Sequence, residues 1–263
     1  MTENTTRTEF TGTGTEADPL TFNAMRQTAP DQAAASIASL STDARNYEAA
    51  FRSAADLSAN LPADVRQLVS EAATAITTPL ATATAARTKA ADFRANVLAN
   101  PEGREFMATE VLKVAADKVS ESFANADFRL KVAEADLYEV ARPRISPDAA
   151  MPARADLQMM TARHIDNPGA LAGTLKTLAQ RDDAVGALVA DGAYLRDFLD
   201  AHGIERELRD SILTSVRGEV FKVAALSADS KRAAAGKTSM ALVELRKARA
   251  AAAAYTRHTL SAK

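Results

Sequence analysis

The chain has 263 residues, with 32 Lys and Arg against 34 Asp and Glu, nine Phe, no Trp and no Cys. A formal net charge of −2, with both signs mixed along the chain, excludes a broadly basic nucleic-acid surface. The lack of cysteine excludes disulfides, thiol catalysis and thiolate zinc sites. Sixty residues are alanine, which is the best helix former but buries little area per residue. An all-α protein is therefore expected, with a core of closely approaching helices filled by Leu, Val, Ile, Met and Phe.

Residues 1 to about 22 hold eight Thr, two Gly and few bulky apolar residues. Such a segment cannot bury enough surface to offset chain entropy, so residues 1–28 are expected to form a disordered leader. From Pro30 the pattern turns helical, with Ile37, Leu40, Ala44, Tyr47, Phe51, Ala54 and Leu57 on one stripe. Leu61-Pro62 breaks that helix, and Pro62 opens the next as far as about Ile76. Thr77-Thr78-Pro79 predicts a stop, followed by a third helix over roughly 80–92.

Asn100-Pro101-Glu102 reads as an N-cap, a first-position proline and a first-turn acid. It predicts a helix to about Phe123, then another over about 126–141. Arg142-Pro143-Arg144-Ile145-Ser146-Pro147 reads as a rigid connector. Helices follow at about 148–165, 168–181, 183–201 and 204–226, the last with Leu208, Ile212, Val216, Val220 and Val223 at three-four spacing. A final Ala-rich helix over about 229–259 either packs as an outer helix or projects. The reading is eight to nine helices with short connections, as in a bundle: a leader over 1–28, a helical domain over 30–226 and a long C-terminal helix over 227–263.

No apolar run reaches transmembrane length, and the N-terminus lacks a basic region followed by an apolar one. His164, His202 and His258 stand alone, without the spacing that would build a metal site on a helix. Asp182-Asp183 sits at a turn and reads as a helix starter, and Met159-Met160 as core filling. No glycine-rich phosphate loop is present. No cofactor is expected, and chemistry, if there is any, belongs to a partner.

Phe93-Arg94-Ala95-Asn96-Val97-Leu98-Ala99 lies between two helical segments and resembles the finger loop of Ras-type GTPase-activating proteins, Phe-Arg-x-Asn-x-Leu-Ala. Later blocks keep the family's order. Asp136 to Pro147 is similar to its Phe-Leu-Arg-x-x-x-Pro-Ala-Ile-x-x-Pro block, with Glu139 at the place of the supporting arginine. Leu157 to Asn167 is similar to its Leu-x-Leu-x-Ala-Lys-x-Leu-Gln-Asn helix, with Asp166 at the place of the Gln. Gly192 to Leu199 is similar to its Tyr-Met-x-x-Leu-Asn-x-Phe block. The resemblance implies that Arg94 is an arginine finger donated to a small GTPase. Such a group neutralises charge on the transferring phosphoryl and is worth roughly 10³–10⁵ in rate. It also implies that Phe93, Asn96 and Leu98 hold the loop, and that Arg163 and Asn167 contribute to binding.

Gly192-Ala193-Tyr194-Leu195-Arg196 is similar, with one extra residue, to the Gly-x-Leu-Arg loop of bacterial toxins acting on Rho-type GTPases. Arg196 is thus a rival finger. The plain alternative for Arg94 is an ordinary arginine near a helix end, with Phe93 in the core. Two functions follow. One is a GTPase activator of bacterial origin, cytoplasmic or exported into a host cell as an effector by a non-Sec route. The other is a non-enzymatic helical scaffold or assembly protein, of a virion or secretion apparatus, that self-associates through its C-terminal helix.

Overall fold

The computed structural model describes the backbone of residues 7–11, 21–25 and 29–261, and side chains at residue 35 and over 37–261. Among the described residues nine helices follow one another: α1 Ala29–Ala54, α2 Ala63–Ala95, α3 Pro101–Ala141, α4 Pro147–Thr161, α5 Pro168–Ala179, α6 Ala184–Val189, α7 Gly192–Ala201, α8 Arg206–Ala225 and α9 Ser230–Ser261. The all-α class is therefore as expected. Within the leader, β1 (Arg7–Thr11) pairs antiparallel with β2 (Thr21–Met25), Arg7 opposite Met25 and Thr11 opposite Thr21. An isolated two-stranded ladder is marginal in water and leaves the class unchanged; the rest of residues 1–28 lies outside the described residues.

Where the punctuation is local, helix ends fall where the residues place them. Asn167 caps α5 by accepting from Ala170 N at 3.1 Å, with Pro168 at the first position. Asp183 caps α6, accepting from Gly186 N at 2.9 Å. Gly203, the one described residue with positive φ (69°), lets the chain turn after α7 while Ile204 N donates to Leu199 O.

Three predicted boundaries are corrected. Thr77-Thr78-Pro79 ends nothing, because α2 runs 33 residues with Pro79 inside it. Proline at 79 leaves the Ala75 carbonyl without its helical donor, and the Ser122 hydroxyl supplies one at 2.9 Å. Thr77 and Thr78 donate back to Ala73 O and Thr74 O, a pattern that bends helices. Ser122→Ala is expected to cost about 1 kcal/mol. That cost should vanish in a Pro79→Ala background, where residue 79 regains an N–H for Ala75. Urea unfolding of the four chains in this cycle checks the coupling.

The second correction is at 123–126. α3 is one 41-residue helix, and its buried stripe runs through Val119, Phe123, Ala126, Leu130, Ala133 and Leu137 without a phase break. Nothing in that stretch removes a backbone donor or favours φ > 0, so the helix continues. The third correction is at 183–201, where the chain forms α6 and α7 rather than one helix. Asp191 turns the chain, accepting from Ala193 N and Tyr194 N.

The helices divide into two compact units. Unit 1 comprises Met1–Arg45, Pro79–Val119 and Ala250–Lys263, and unit 2 comprises Asn46–Thr78 and Ser120–Arg249. In unit 1 the buried residues are mostly alanine, with Ala44, Ala83, Ala86, Ala90, Ala108 and Ala115 among them. Thr84 Oγ1 and Tyr255 OH lie 2.7 Å apart there. Unit 2 has the bulkier core, in which α6 packs on α4, α5 and α7, and α8 packs on α5 and α7. Ile212, Val216 and Val220 of the predicted α8 stripe are buried, joined by Phe221 and Ala224. The unit 2 part of α9 packs rather than projects: Ala234, Ala235, Thr238, Ala241, Leu242, Leu245 and Ala248 are buried, and Thr238 Oγ1 donates to Asp56 O.

Candidate functional site

Arg94 stands on the last turn of α2 in unit 1, at the mouth of the turn leading to α3. Asn96 N donates to Phe93 O, the Asn96 carboxamide oxygen accepts from Leu98 N at 3.1 Å, and Ala99 N donates to Asn96 O. The Asn100 side chain then caps α3 by accepting from Gly103 N at 2.6 Å. The turn is thus held by its own two asparagines. It lifts Val97 and Leu98 into solvent, 84% and 95% exposed. Within its first two turns α3 adds Phe106, 67% exposed, and Met107, 44% exposed. Phe93 is half-buried under the Lys89 ammonium, 5.9 Å from the ring centre.

The Arg94 guanidinium is engaged. Its Nε and one terminal nitrogen each donate at 2.9 Å to the two oxygens of Glu105, a bidentate pair between the two arms of the hairpin. Those hydrogen bonds raise its pKa above the ordinary guanidinium value. The Arg94 carbonyl in turn accepts from Arg104 at 3.4 Å. The side chain is 31% exposed and works as a strut across the hairpin in this conformation. Sequence reading missed Glu105, because a pairing eleven residues away across a turn leaves no periodic signal.

The remaining candidate residues fall in unit 2. Arg163 is exposed in the turn after α4. Asn167 is the α5 cap described above, which already uses its side-chain oxygen. Arg196 is exposed on α7 and lines a cavity of about 370 Å³ to which neither Arg163 nor Asn167 contributes. No protein-family model, curated protein or solved structure matches this chain.

The cavity around Arg196 gathers residues from α3, α6, α7 and α8 and from the positions just beyond α3 and just before α7, among them Tyr138, Glu139, Arg142, Asp191 and Arg217. Tyr138 is buried, donates its hydroxyl to Ala190 O at 2.7 Å and packs edge-on against Phe221. Burial pushes its pKa up to about 12, against the opposing pull of Arg217 and Arg142. Arg142 bridges Glu139 at 2.8 Å and Asp191 at 3.3 Å. The Arg217 guanidinium lies over the Tyr138 ring, 4.9 Å from its centre. Tyr138, Glu139 and Arg142 fall in the Asp136–Pro147 block and Arg196 in the Gly192–Leu199 block, but nothing in the sequence brings these residues together with Asp191 and Arg217.

Among the described residues no group of His, Cys, Asp and Glu is placed to hold a metal ion, and no helix is long and apolar enough to cross a membrane. His202 closes α7, with its Nδ1 2.7 Å from Phe198 O.

Proposed function

We propose that this protein is a non-enzymatic helical assembly protein whose copies meet through the tip of the α2–α3 hairpin. The observation that carries this reading is the near-complete exposure of Val97 and Leu98 on a turn whose backbone is fastened from both sides. Large apolar side chains held rigidly in water mark contact surfaces. A second copy is taken as the occupant, and the Arg94–Glu105 pair, neutral within the hairpin, leaves no unpaired charge from these two groups at the contact. Two such tips can then meet about a twofold axis without like-charge repulsion from this pair. The turn rather than the C-terminal helix is taken as the contact, because the apolar stripe on the unit 2 part of α9 is buried.

Light scattering on the full chain tests it. The wild type is expected to run as a multimer and Leu98→Asp as a monomer that keeps the wild-type helical circular dichroism, since Leu98 lies outside the core and exposed substitutions shift the stability of the fold by about 0.5 kcal/mol or less. A monomeric wild type, or a Leu98→Asp multimer, overturns the reading.

A second reading keeps Arg94 as a finger for a small GTPase, favoured by its place beside a turn that the Asn96 side chain fastens. The guanidinium must then leave Glu105 on docking. Single-turnover GTP hydrolysis by Ras-, Rho- and Rab-type GTPases would be accelerated by the protein. The effect would be lost in Arg94→Ala and strengthened in Glu105→Gln, which loosens the ion pair. Absence of acceleration across the panel removes this reading, and an Arg196→Ala loss with Arg94→Ala intact reassigns the finger.

A further inference from the structure

We propose that the unit 2 cavity binds a small organic carboxylate, held through its carboxylate group by Arg196 and Arg217. Val189, Leu195 and Val216 close the floor and are themselves buried, so the surface left to a ligand comes mainly from the polar wall. The volume of about 370 Å³ falls within the range of small-molecule sites. The wall carries three arginines and two acids, but their commitments differ. Glu139 and Asp191 are both engaged with Arg142. The other Asp191 oxygen takes the Ala193 and Tyr194 N–H groups at the start of α7. Among the described residues neither Arg196 nor Arg217 has a carboxylate partner.

Two guanidiniums thus remain for a ligand, and Arg217 is held over the Tyr138 ring. A planar donor fork positioned in advance loses less freedom on pairing with a carboxylate. The balance of three arginines against two acids matches a single negative charge. The helix N–H groups that serve phosphates elsewhere are already taken by Asp191 here.

Titration of the full-length protein with benzoate and hexanoate, followed by amide NMR shifts, tests this. Saturable shifts are expected at residues 189–196 and 213–217. Affinity should weaken about tenfold in Arg196→Ala, the loss of one charge-assisted pair. Arg217→Lys, which keeps the charge but not the fork, should weaken it as well, while Arg163→Ala leaves it unchanged. Absence of saturable binding, retention of affinity in both cavity variants, or equal binding of hexanamide or inorganic phosphate would overturn the proposal.

Discussion

Gly236→Ala is expected to destabilise the protein by about 3 kcal/mol, the upper end of overpacking costs. Gly236 lies on α9 where that helix meets the end of α8. An added Cβ would press into Ala225 N, and it would lie 2.6 Å from Phe221 O and 2.8 Å from Ala225 Cα. All three are backbone atoms, so no rotamer change relieves the clash and one helix must move. Neighbouring Ala234, Ala235 and Thr238 are fully buried, so that movement opens the surrounding core. Gly218, on α8, is the internal control: a Cβ there meets nothing within 4 Å. Gly218→Ala should stabilise by about 0.5–1 kcal/mol through helix propensity alone. Urea unfolding followed by circular dichroism reads both, and equal effects at the two sites would refute the close-approach account. Gly186 makes a similar demand, since a Cβ there would run into the Arg181 carbonyl.

Alkaline conditions are expected to remove about 2–3 kcal/mol of stability between roughly pH 10 and pH 12 through Tyr138. The sign follows from linkage. An exposed tyrosine in the unfolded chain titrates near 10, whereas burial raises Tyr138 to about 12 in the folded state. The contribution is complete below the unfolded pKa. It declines as pH rises, because only the unfolded chain gives up the proton, and it is gone once pH passes the folded value. Tyr138→Phe keeps the edge-on contact with Phe221 and loses the bond to Ala190 O, which costs about 1 kcal/mol near neutral pH. It should also flatten the alkaline limb relative to wild type. A wild-type and a Tyr138→Phe curve that fall in parallel would show that Tyr138 is not the group responsible.

How much was legible in the residues varies with the range of the interaction. The start of α5 is written in Asn167-Pro168, and the buried face of α8 in Ile212, Val216 and Val220, because caps, propensity and periodicity act within a turn or two. Pro79 reads locally as a stop, yet the donor that replaces its missing N–H comes from Ser122, 47 residues beyond the carbonyl it serves. The split between α6 and α7 rests on a single capping aspartate inside a continuous apolar pattern.

The candidate sites divide in the same way. Phe93 to Ala99 marks a turn with one arginine beside it, and the turn is there, fastened by Asn96 and Asn100. That the arginine grips Glu105, leaving the apolar residues of the turn in water, is decided by the packing of α2 against α3 at that hairpin.

The chain's composition and spacing determined the helical class, most helix ends and the reliance on small residues where helices touch, since each follows from backbone preferences and burial of nearby groups. Tertiary structure alone decided whether a proline broke its helix, which arginines were already paired, and which residues share the Tyr138 cavity. Those outcomes depend on partners far along the chain, whose free energy exists only once the helices are side by side.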